Sequence, residues 1–213
     1  MPSQRHSSGD LSERPRGEPV VTVGQVELPA GILDATRAAV LAVGVRRTTL
    51  TDVARRAGVS RMTVYRLVPD VETLVLEVLT REFGALVAQA ERSVARRRTA
   101  RSRLVGSIVE VARLLPDQPL FTRIVDVDPE LLLPYVTDRI GSTQQIALGH
   151  VRRLLIEGHA DRSIRRGDPD TQAMTVMLTV MPFALSARLL DQAGRRDAAL
   201  RELATLLDLG LAP

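Results

Sequence analysis

Five side chains between positions 61 and 66 carry groups that can contact the bases and the phosphates of a DNA duplex. They are Arg61, Met62, Thr63, Tyr65 and Arg66. An arginine can donate hydrogen bonds to the N7 and O6 acceptors of guanine, and a threonine methyl group can contact the thymine methyl. Hydroxyl groups can hold phosphate oxygens. If this segment is a helix whose Val64 and Val68 point inward, the five side chains face outward together.

The residues before position 61 predict a short helix that would hold this outward face in place. Thr49 or Thr48 can cap the helix, and Asp52 follows Thr49 at capping-box spacing. Its apolar face is formed by Leu50, Val53, Ala54 and Ala57. Gly58 stands where the helix should stop, because glycine adopts the left-handed conformation that other residues resist.

A second helix should begin after Ser60, whose hydroxyl can accept a hydrogen bond from an exposed backbone N–H. Val59 is expected to hold the turn between the two helices against the core. Small Ala54 and Gly58 let the helices cross closely, as a helix-turn-helix requires. Taken alone, the pattern also fits a helical hairpin with a solvated basic face.

Residues Ile32 to Leu74 resemble the N-terminal DNA-binding domain of the tetracycline-repressor (TetR) family of bacterial regulators. The matching motifs, in order and without a gap, are Ile32-Leu33-Asp34-Ala35, Gly44, Thr48-Thr49-Leu50-Thr51-Asp52-Val53-Ala54, Ala57-Gly58-Val59-Ser60, Thr63-Val64-Tyr65 and Glu72-x-Leu74. Two positions depart from the family pattern. Val68 replaces an aromatic residue, and Val71 replaces a lysine that contacts phosphate at the start of the fourth helix.

The resemblance implies an all-α protein with a three-helix DNA-binding head and a helical body that binds a ligand and forms dimers. Within the head we predict two roles. Arg61, Met62 and Thr63 should select bases. Tyr65, Thr49 and Thr51 should hold phosphate, and Arg66 completes the set of DNA-contacting residues.

Composition favours helices and limits the chemistry. Aromatic residues make up only 2% of the 213 residues, so strands are not expected. There is no cysteine, which excludes disulfides, thiolate metal sites and cysteine nucleophiles. Residues 1–103 hold 17 arginines against 11 acidic residues, and residues 104–213 hold 12 against 14. The basic first half therefore suits a polyanion partner.

The sequence divides into three predicted parts. Residues 1–27 form an arm that we expect to be disordered. This arm is either a tail without a role or a basic arm that reaches the minor groove through Arg14 or Arg16. Residues 28–75 form the DNA-binding domain, and residues 76–213 form the ligand-binding and dimerisation domain. The sequence shows no apolar run long enough to span a membrane and no signal sequence, so we expect a cytoplasmic protein without membrane contact.

Periodicity and capping residues predict about nine helices. The fourth is long and would link the head to the body. The seventh should run from Asp128 towards Gly158, with breaks near Pro134 and Gly141, and the eighth should kink at Pro182. The other predicted bounds are 30–43 for the first helix, 71–97 for the fourth, 102–115 for the fifth, 120–125 for the sixth, 168–193 for the eighth and 196–209 for the ninth.

Acidic residues around position 128 have two interpretations. Asp128, Pro129 and Glu130 fit the N-cap, the first-turn proline and the first-turn acid of the seventh helix. Alternatively, Asp126, Asp128, Glu130 and Asp138 could attract a cationic ligand or a metal ion. We prefer the capping interpretation.

No catalytic arrangement is visible in the sequence. His150 and His159 are nine positions apart and fall on opposite sides of one continuous helix, which opposes a shared metal site. There is no evident Ser-His-Asp arrangement, phosphate loop or cysteine–histidine cluster. We therefore predict no catalytic residues, no metal site, no cofactor and no enzymatic activity.

By the resemblance, an effector pocket lies between helices four to eight. The candidate wall residues are Phe121, Ile124, Leu132, Tyr135, Gln144, Met174, Met177 and Met181. Each methionine also fits an ordinary core position. The scarcity of aromatic residues argues against a cage for flat cationic molecules, and aliphatic ligands such as acyl chains are the working hypothesis.

The last two predicted helices favour self-association. Residues 173–185 are almost wholly apolar, so this segment should be buried on more than one face. The last helix carries an apolar stripe of Leu200, Leu203, Leu206 and Leu207. Two such helices from each of two chains can form a four-helix interface, although both could pack only into their own body.

Together these features predict a homodimeric transcriptional regulator, a repressor, that binds a palindromic operator in double-stranded DNA. A small molecule bound in the body would release it. The alternatives are an architectural DNA-binding dimer without a ligand, an activator, and an enzyme of the helical body with the head as an appendage.

Overall fold

A computed structural model describes residues 28–213, and this part of the chain is helical without any strand. The predictions of a disordered arm over residues 1–27 and of groove contacts by Arg14 or Arg16 lie outside the described residues. The helices are α1 (Ala30–Val43), α2 (Leu50–Ala57), α3 (Arg61–Leu67), α4 (Val71–Val94), α5 (Ala100–Leu114), α6 (Pro119–Val127), α7 (Leu133–Thr137), α8 (Ser142–Ala160), α9 (Pro169–Leu185), α10 (Ala187–Gln192) and α11 (Arg196–Leu211).

Helices α1 to α3 form the predicted head, and side chains cap two of them as the sequence indicates. The Thr49 hydroxyl accepts the Asp52 N–H at 3.1 Å, and the Ser60 hydroxyl accepts the Thr63 N–H at 3.1 Å. Gly58 ends α2 in the left-handed conformation, with φ of 68°. The turn is therefore fixed by local chemistry.

The prediction that Val59 holds the turn against the core is wrong. Its side chain is 37% exposed. The turn is instead closed by the backbone, because the Val59 N–H donates to the Ala54 carbonyl at 3.0 Å. Behind it, Val64 and Val68 are buried as predicted. They pack in one core with other apolar residues of the head, namely Ile32, Ala35, Leu50, Val53, Ala54 and Leu74.

Helix α4 joins the head to the body. Its N-terminus is capped by Asp70, whose carboxylate accepts the Thr73 N–H at 2.7 Å. Two ion pairs tie it to α1: Arg37 to Glu82 at 2.6 Å and Arg81 to Asp34 at 2.8 Å. An apolar cluster shared by α1, α4 and α6 lies at the same junction, formed by Leu33, Val40, Val75, Val78, Leu120, Ile124 and Leu131.

The body is a bundle in which α5, α8, α9 and α11 share the largest core. From α11, Leu200, Leu203 and Leu207 enter this core, whereas Leu206 faces outward and leaves the predicted stripe. Within residues 28–213 no helix is both long enough and apolar enough to span a membrane.

Within residues 28–213 eleven α-helices form where about nine helices were predicted for the chain, because two predicted helices are each divided. The seventh becomes α7 and α8, which begins after Gly141 as expected. The eighth becomes α9 and α10, with a break at Ser186, and Pro182, where a kink was predicted, lies inside α9. Helix α4 ends at Val94, three residues before the predicted end.

Candidate nucleic-acid interface and internal cavity

Helix α3 presents most of the predicted DNA-contacting side chains to solvent. Met62 is 68% exposed and Tyr65 is 53% exposed, and Arg61 and Arg66 are exposed beside them. The guanidinium groups can donate to phosphate and guanine, and the side chains of Met62 and Tyr65 lie beside them on the same face. The exposed face of α3 is thus well suited to a groove of DNA.

The threonines of the head are less available for DNA contact than the exposed side chains of α3. The Thr63 hydroxyl lies 2.9 Å from the Ser60 hydroxyl, so it belongs to the cap of α3 and leaves the methyl group as the part available for contact. Thr49 is exposed, and its hydroxyl already accepts one hydrogen bond from the backbone of α2. Thr51 is half-buried on the same helix.

Ion pairs divide the arginines of the head into two groups. Arg55 and Arg56 both pair with Asp52, at 2.5 Å and 2.8 Å, and these hydrogen bonds lower the pKa of that carboxyl. Arg46 pairs with the carboxylate of Glu130 in the body. Within residues 28–213, no carboxylate lies in ion-pair range of Arg47, Arg61 or Arg66. These three are the cations most available to phosphate or guanine.

A cavity of about 800 Å³ lies inside the body. It is walled by α4, α5, α8 and α9 together with the segment from Leu115 to Gln145. The structure brings six of the eight predicted wall residues to this cavity: Phe121, Leu132, Tyr135, Gln144, Met177 and Met181. A mainly apolar space of this volume is the usual form of a small-molecule site.

Two predicted wall residues do not line the cavity. Ile124 is fully buried in the cluster shared by α1, α4 and α6, because it lies on the face of α6 that packs towards the head. On α9 the cavity wall begins at Val176, so Met174 lies nearer the helix start than the cavity extends. Both are ordinary packing positions.

Charged groups on the cavity wall are mostly acidic. Glu77, Glu82 and Asp138 line it, against a single cation, Arg139. The Arg139 guanidinium lies 4.7 Å from the centre of the Tyr135 ring, a cation–π contact. Burial raises the pKa of the Tyr135 hydroxyl, so this group stays neutral and can both donate and accept.

A hydrogen-bonded chain of serine, histidine and glutamate lies at the cavity wall, and the sequence did not reveal it. His150 Nε2 is 2.8 Å from the Ser107 hydroxyl, and its Nδ1 is 2.7 Å from a carboxylate oxygen of Glu91. Burial lowers the pKa of His150 despite the opposing effect of Glu91. The ring is therefore neutral near pH 7, so one of its nitrogens carries the proton and donates while the other can only accept. The partners lie 43 and 59 positions away in the chain, too far for any motif to connect them.

The hydrogen-bonded series of Ser107, His150 and Glu91 has the order of a hydrolase triad but lacks the rest of a hydrolase site. Ser107 is fully buried in the interior of α5, where the backbone N–H groups are used by the helix. Acyl transfer needs free N–H donors aimed at the developing oxyanion and access for the substrate. The three groups are better described as a hydrogen-bonded link between α4, α5 and α8, which is buried at Ser107 and His150 and partly exposed at Glu91. His159 has a separate partner, the Gln172 amide at 2.9 Å.

Asp128 precedes a single 3-10 turn, Pro129–Leu131, with Glu130 as its first-turn acid, but its side chain does not cap this turn, which corrects the capping interpretation. Its side chain is only about 3% exposed in the ion pair with Arg46 and makes no cap hydrogen bond. The carboxylate instead accepts the Val45 N–H at 2.8 Å and the Arg46 N–H at 3.4 Å, in the loop between α1 and α2. A body residue therefore binds the backbone of the head.

Comparison with known proteins identifies the family. The family model described as "Bacterial regulatory proteins, tetR family" matches residues 32–78. An uncharacterized HTH-type transcriptional regulator of Mycobacterium bovis is 35% identical over 160 residues, which is 75% of this chain and 82% of the relative. The chain belongs to the TetR family of bacterial transcriptional regulators. An HTH-type transcriptional regulator of Mycobacterium tuberculosis matches to the same extent.

Solved structures of TetR-like regulators share the fold. The transcriptional repressor QsdR of R. erythropolis superposes with a TM-score of 0.64 at 18% identity, covering 85% of this chain and 94% of that one. The regulator FadR of Bacillus subtilis, solved with stearoyl-CoA, gives 0.60 at 18% identity, covering 85% and 98%. RolR, solved with resorcinol, gives 0.60 at 14% identity, covering 86% of each chain.

Proposed function

We propose that this TetR-family regulator is a dimeric repressor that binds a palindromic operator and is released by a small molecule bound in the body. The observation that carries the proposal is the pairing of an exposed, basic α3 with a mainly apolar cavity of about 800 Å³ in one chain. In this proposal residues 28–75 act as the DNA-binding domain and residues 76–213 as the ligand-binding and dimerisation domain.

On DNA, Arg61, Met62 and Thr63 select bases, while Tyr65 and Thr49 hold phosphate. Thr51 and Arg66 add backbone contacts at the edges of the same face. The division follows from chemistry, because a guanidinium can bind guanine at two points whereas a single hydroxyl suits a phosphate oxygen. Val71 carries no charge, so Arg47 supplies the cation nearest to the phosphates at the base of the head.

The effector enters the cavity and contacts Phe121, Leu132, Tyr135, Gln144, Met177 and Met181. The mainly apolar wall supports a largely hydrophobic molecule, and the acidic groups on it disfavour a carboxylate buried within. Relatives of the same fold were solved with chemically different ligands, stearoyl-CoA in FadR and resorcinol in RolR. A cavity of about 800 Å³ has room for a small aromatic molecule or for an acyl chain.

Dimerisation uses the outer faces of α9 and α11. Leu178 on α9 and Leu206 and Leu209 on α11 are each more than half exposed in the single chain. Exposed leucines on two helices of a bundle can form the apolar face that a second copy covers. A two-fold axis through this face would place two α3 helices on one side of a DNA duplex.

Footprinting on the DNA upstream of the protein's own gene tests the repressor. We expect the protein to protect a palindrome, and we expect this protection to disappear when the effector is added. The architectural alternative lacks the effector, and the cavity favours a ligand-responsive protein over it. A thermal-shift screen over metabolites separates the two, because a ligand that binds the folded state raises the melting temperature. An activator would protect the same DNA but raise transcription.

A further inference from the structure

The contact between Asp128 and the loop of the head is unlike the other contacts between head and body. Helices α1 and α4 are joined by ion pairs between side chains that are partly exposed, such as Arg81 and Asp34. Asp128 is 2% exposed, and its carboxylate binds backbone N–H groups of Val45 and Arg46. A buried carboxylate that loses these donors is left unsatisfied, so this contact resists being broken.

The loop of the head is shaped to receive this carboxylate. Gly44 has φ of +83°, and a Cβ at this position would lie 3.1 Å from Asp128 Oδ2 and 3.2 Å from the Val127 side chain. The missing Cβ lets the carboxylate reach the N–H of the next residue. The Arg46 side chain then folds back over the site and binds Glu130, with its Nε 2.8 Å from the carboxylate.

The loop held by Asp128 decides where the DNA-reading helix lies. The Thr48 hydroxyl donates to the Gly44 carbonyl at 2.7 Å, and α2 begins two residues later at Leu50. Helix α3 packs on α2, so the angle of the head against the body follows the position of residues 44–48. Phe121 and Leu132, which flank Asp128 in the chain, line the cavity.

We propose that Asp128 is a positioning residue that fixes the angle of the DNA-binding head against the body and so sets the half-site spacing that the dimer accepts. It does not touch DNA. Two heads held at one angle meet two half-sites at one separation, whereas two loosely held heads tolerate several. This inference rests on the proposed dimeric binding of a palindrome.

The test measures spacing preference with full-length protein. Duplexes carry two copies of the half-site that the wild-type protein selects, with spacers that differ by single base pairs. The variants are Asp128→Asn and Asp128→Ala. Asp126→Asn is the matched control, since Asp126 is an exposed carboxylate in the last turn of α6, two residues before Asp128, and pairs with Arg188.

We expect the wild-type protein and the control to bind one spacing about tenfold more tightly than its neighbours. For Asp128→Asn this ratio should fall to about threefold or less, with the base preference inside each half-site unchanged. A destabilised but otherwise unaltered head would lose affinity at all spacings alike. Folded Asp128 variants that keep the wild-type spacing ratio would overturn the inference.

Gly44→Ala decides the matter if the Asp128 variants do not fold, because the added Cβ would lie 3.1 Å from Asp128 Oδ2 and so disturbs the same contact while the buried carboxylate is kept. A flattened spacing profile supports the inference, and an unchanged profile overturns it. A different result is expected if the protein is not a dimeric repressor at all. In that case the wild-type protein itself binds no spaced palindrome, and the dimeric repressor is overturned together with this role of Asp128.

Discussion

Arg61 and Tyr65 lie on the same exposed face of α3 but should affect DNA binding in different ways. Replacing Arg61 with alanine removes a guanidinium that can donate twice to one guanine. We expect a loss of about 1–3 kcal/mol on the selected operator and a weaker base preference at one position of each half-site. Fluorescence anisotropy on the operator and on single-base variants measures both effects. Arg98→Ala, an exposed arginine beyond the end of α4, serves as the control and should bind like the wild type.

Tyr65→Phe removes one hydroxyl that we assign to phosphate. Affinity should fall by about 1 kcal/mol on the operator and on random duplex alike, since a phosphate contact carries no sequence information. The dependence of affinity on salt should stay the same, because no charge is lost. A change in sequence preference would show that the assignment is wrong. Tyr135→Phe, in the cavity, leaves the head untouched and is the matched control.

Burial of His150 makes stability depend on pH. Its pKa is lowered from 6.5 in the folded protein, so the unfolded chain binds a proton at higher pH than the folded chain does. The free energy of unfolding is therefore greatest above the unfolded pKa and falls as the pH drops below it towards the folded pKa. Urea unfolding at about pH 7.5 and at about pH 5.5 measures this difference.

Two variants isolate the contribution of His150. In His150→Gln the loss of stability between the two pH values should be smaller than in the wild type. His159→Gln keeps the buried histidine and should retain the wild-type loss. An unchanged pH dependence in His150→Gln would mean that this ring is already charged in the folded protein or does not govern the transition.

The sequence could not reveal the partners of Asp128 or His150. The carboxylate of Asp128 binds a backbone N–H 83 positions earlier. Almost every residue type carries a backbone N–H, so the sequence does not indicate which one will be the donor. Asp128 followed by a proline looks like a helix cap by every local rule. The same limit explains Ile124, whose helical face is chosen by the packing of α6 on the head and not by its own periodicity.

At the scale of elements, the helix-turn-helix was predicted almost residue by residue. Thr49, Gly58 and Ser60 each form a hydrogen bond with a backbone group no more than four positions away, so the local sequence is enough to predict their roles. Where helices divide is harder to predict. Pro182 remains inside α9, and the helix ends three residues later at Leu185, with Ser186 as its C-cap.

The conformation of Gly58 gives a test of the turn itself. A Cβ at this position meets no atom within 4 Å, but its φ of +68° is strained for any L side chain. Gly58→Ala should therefore lower the free energy of unfolding by about 1–2 kcal/mol and weaken DNA binding. Gly31, in the first turn of α1, also has open space but no such φ. Gly31→Ala should be neutral or stabilise by up to about 1 kcal/mol. Equal effects of the two substitutions in urea unfolding would contradict this account of the turn.

For the whole molecule, the exposed leucines of α11 test the dimer. Leu206 and Leu209 are 66% and 69% exposed in the single chain, and an arginine at both positions would place charge in the proposed interface. We expect the double variant Leu206→Arg with Leu209→Arg to sediment as a monomer and to lose tight binding to the operator. Leu133→Arg, on α7, changes another exposed leucine and should leave the dimer intact. A double variant that remains dimeric would show that the interface lies elsewhere on the molecule.

A footprint of the purified protein on DNA beside its own gene tests the central claim most directly. Two α3 helices related by a two-fold axis should protect two inverted half-sites on one side of the duplex, with centres about 34–36 Å apart or a multiple of one helical turn. Protection should survive an excess of random competitor DNA. A single unrepeated half-site, or no protection above the competitor, would contradict the account of this chain as a dimeric operator-binding regulator.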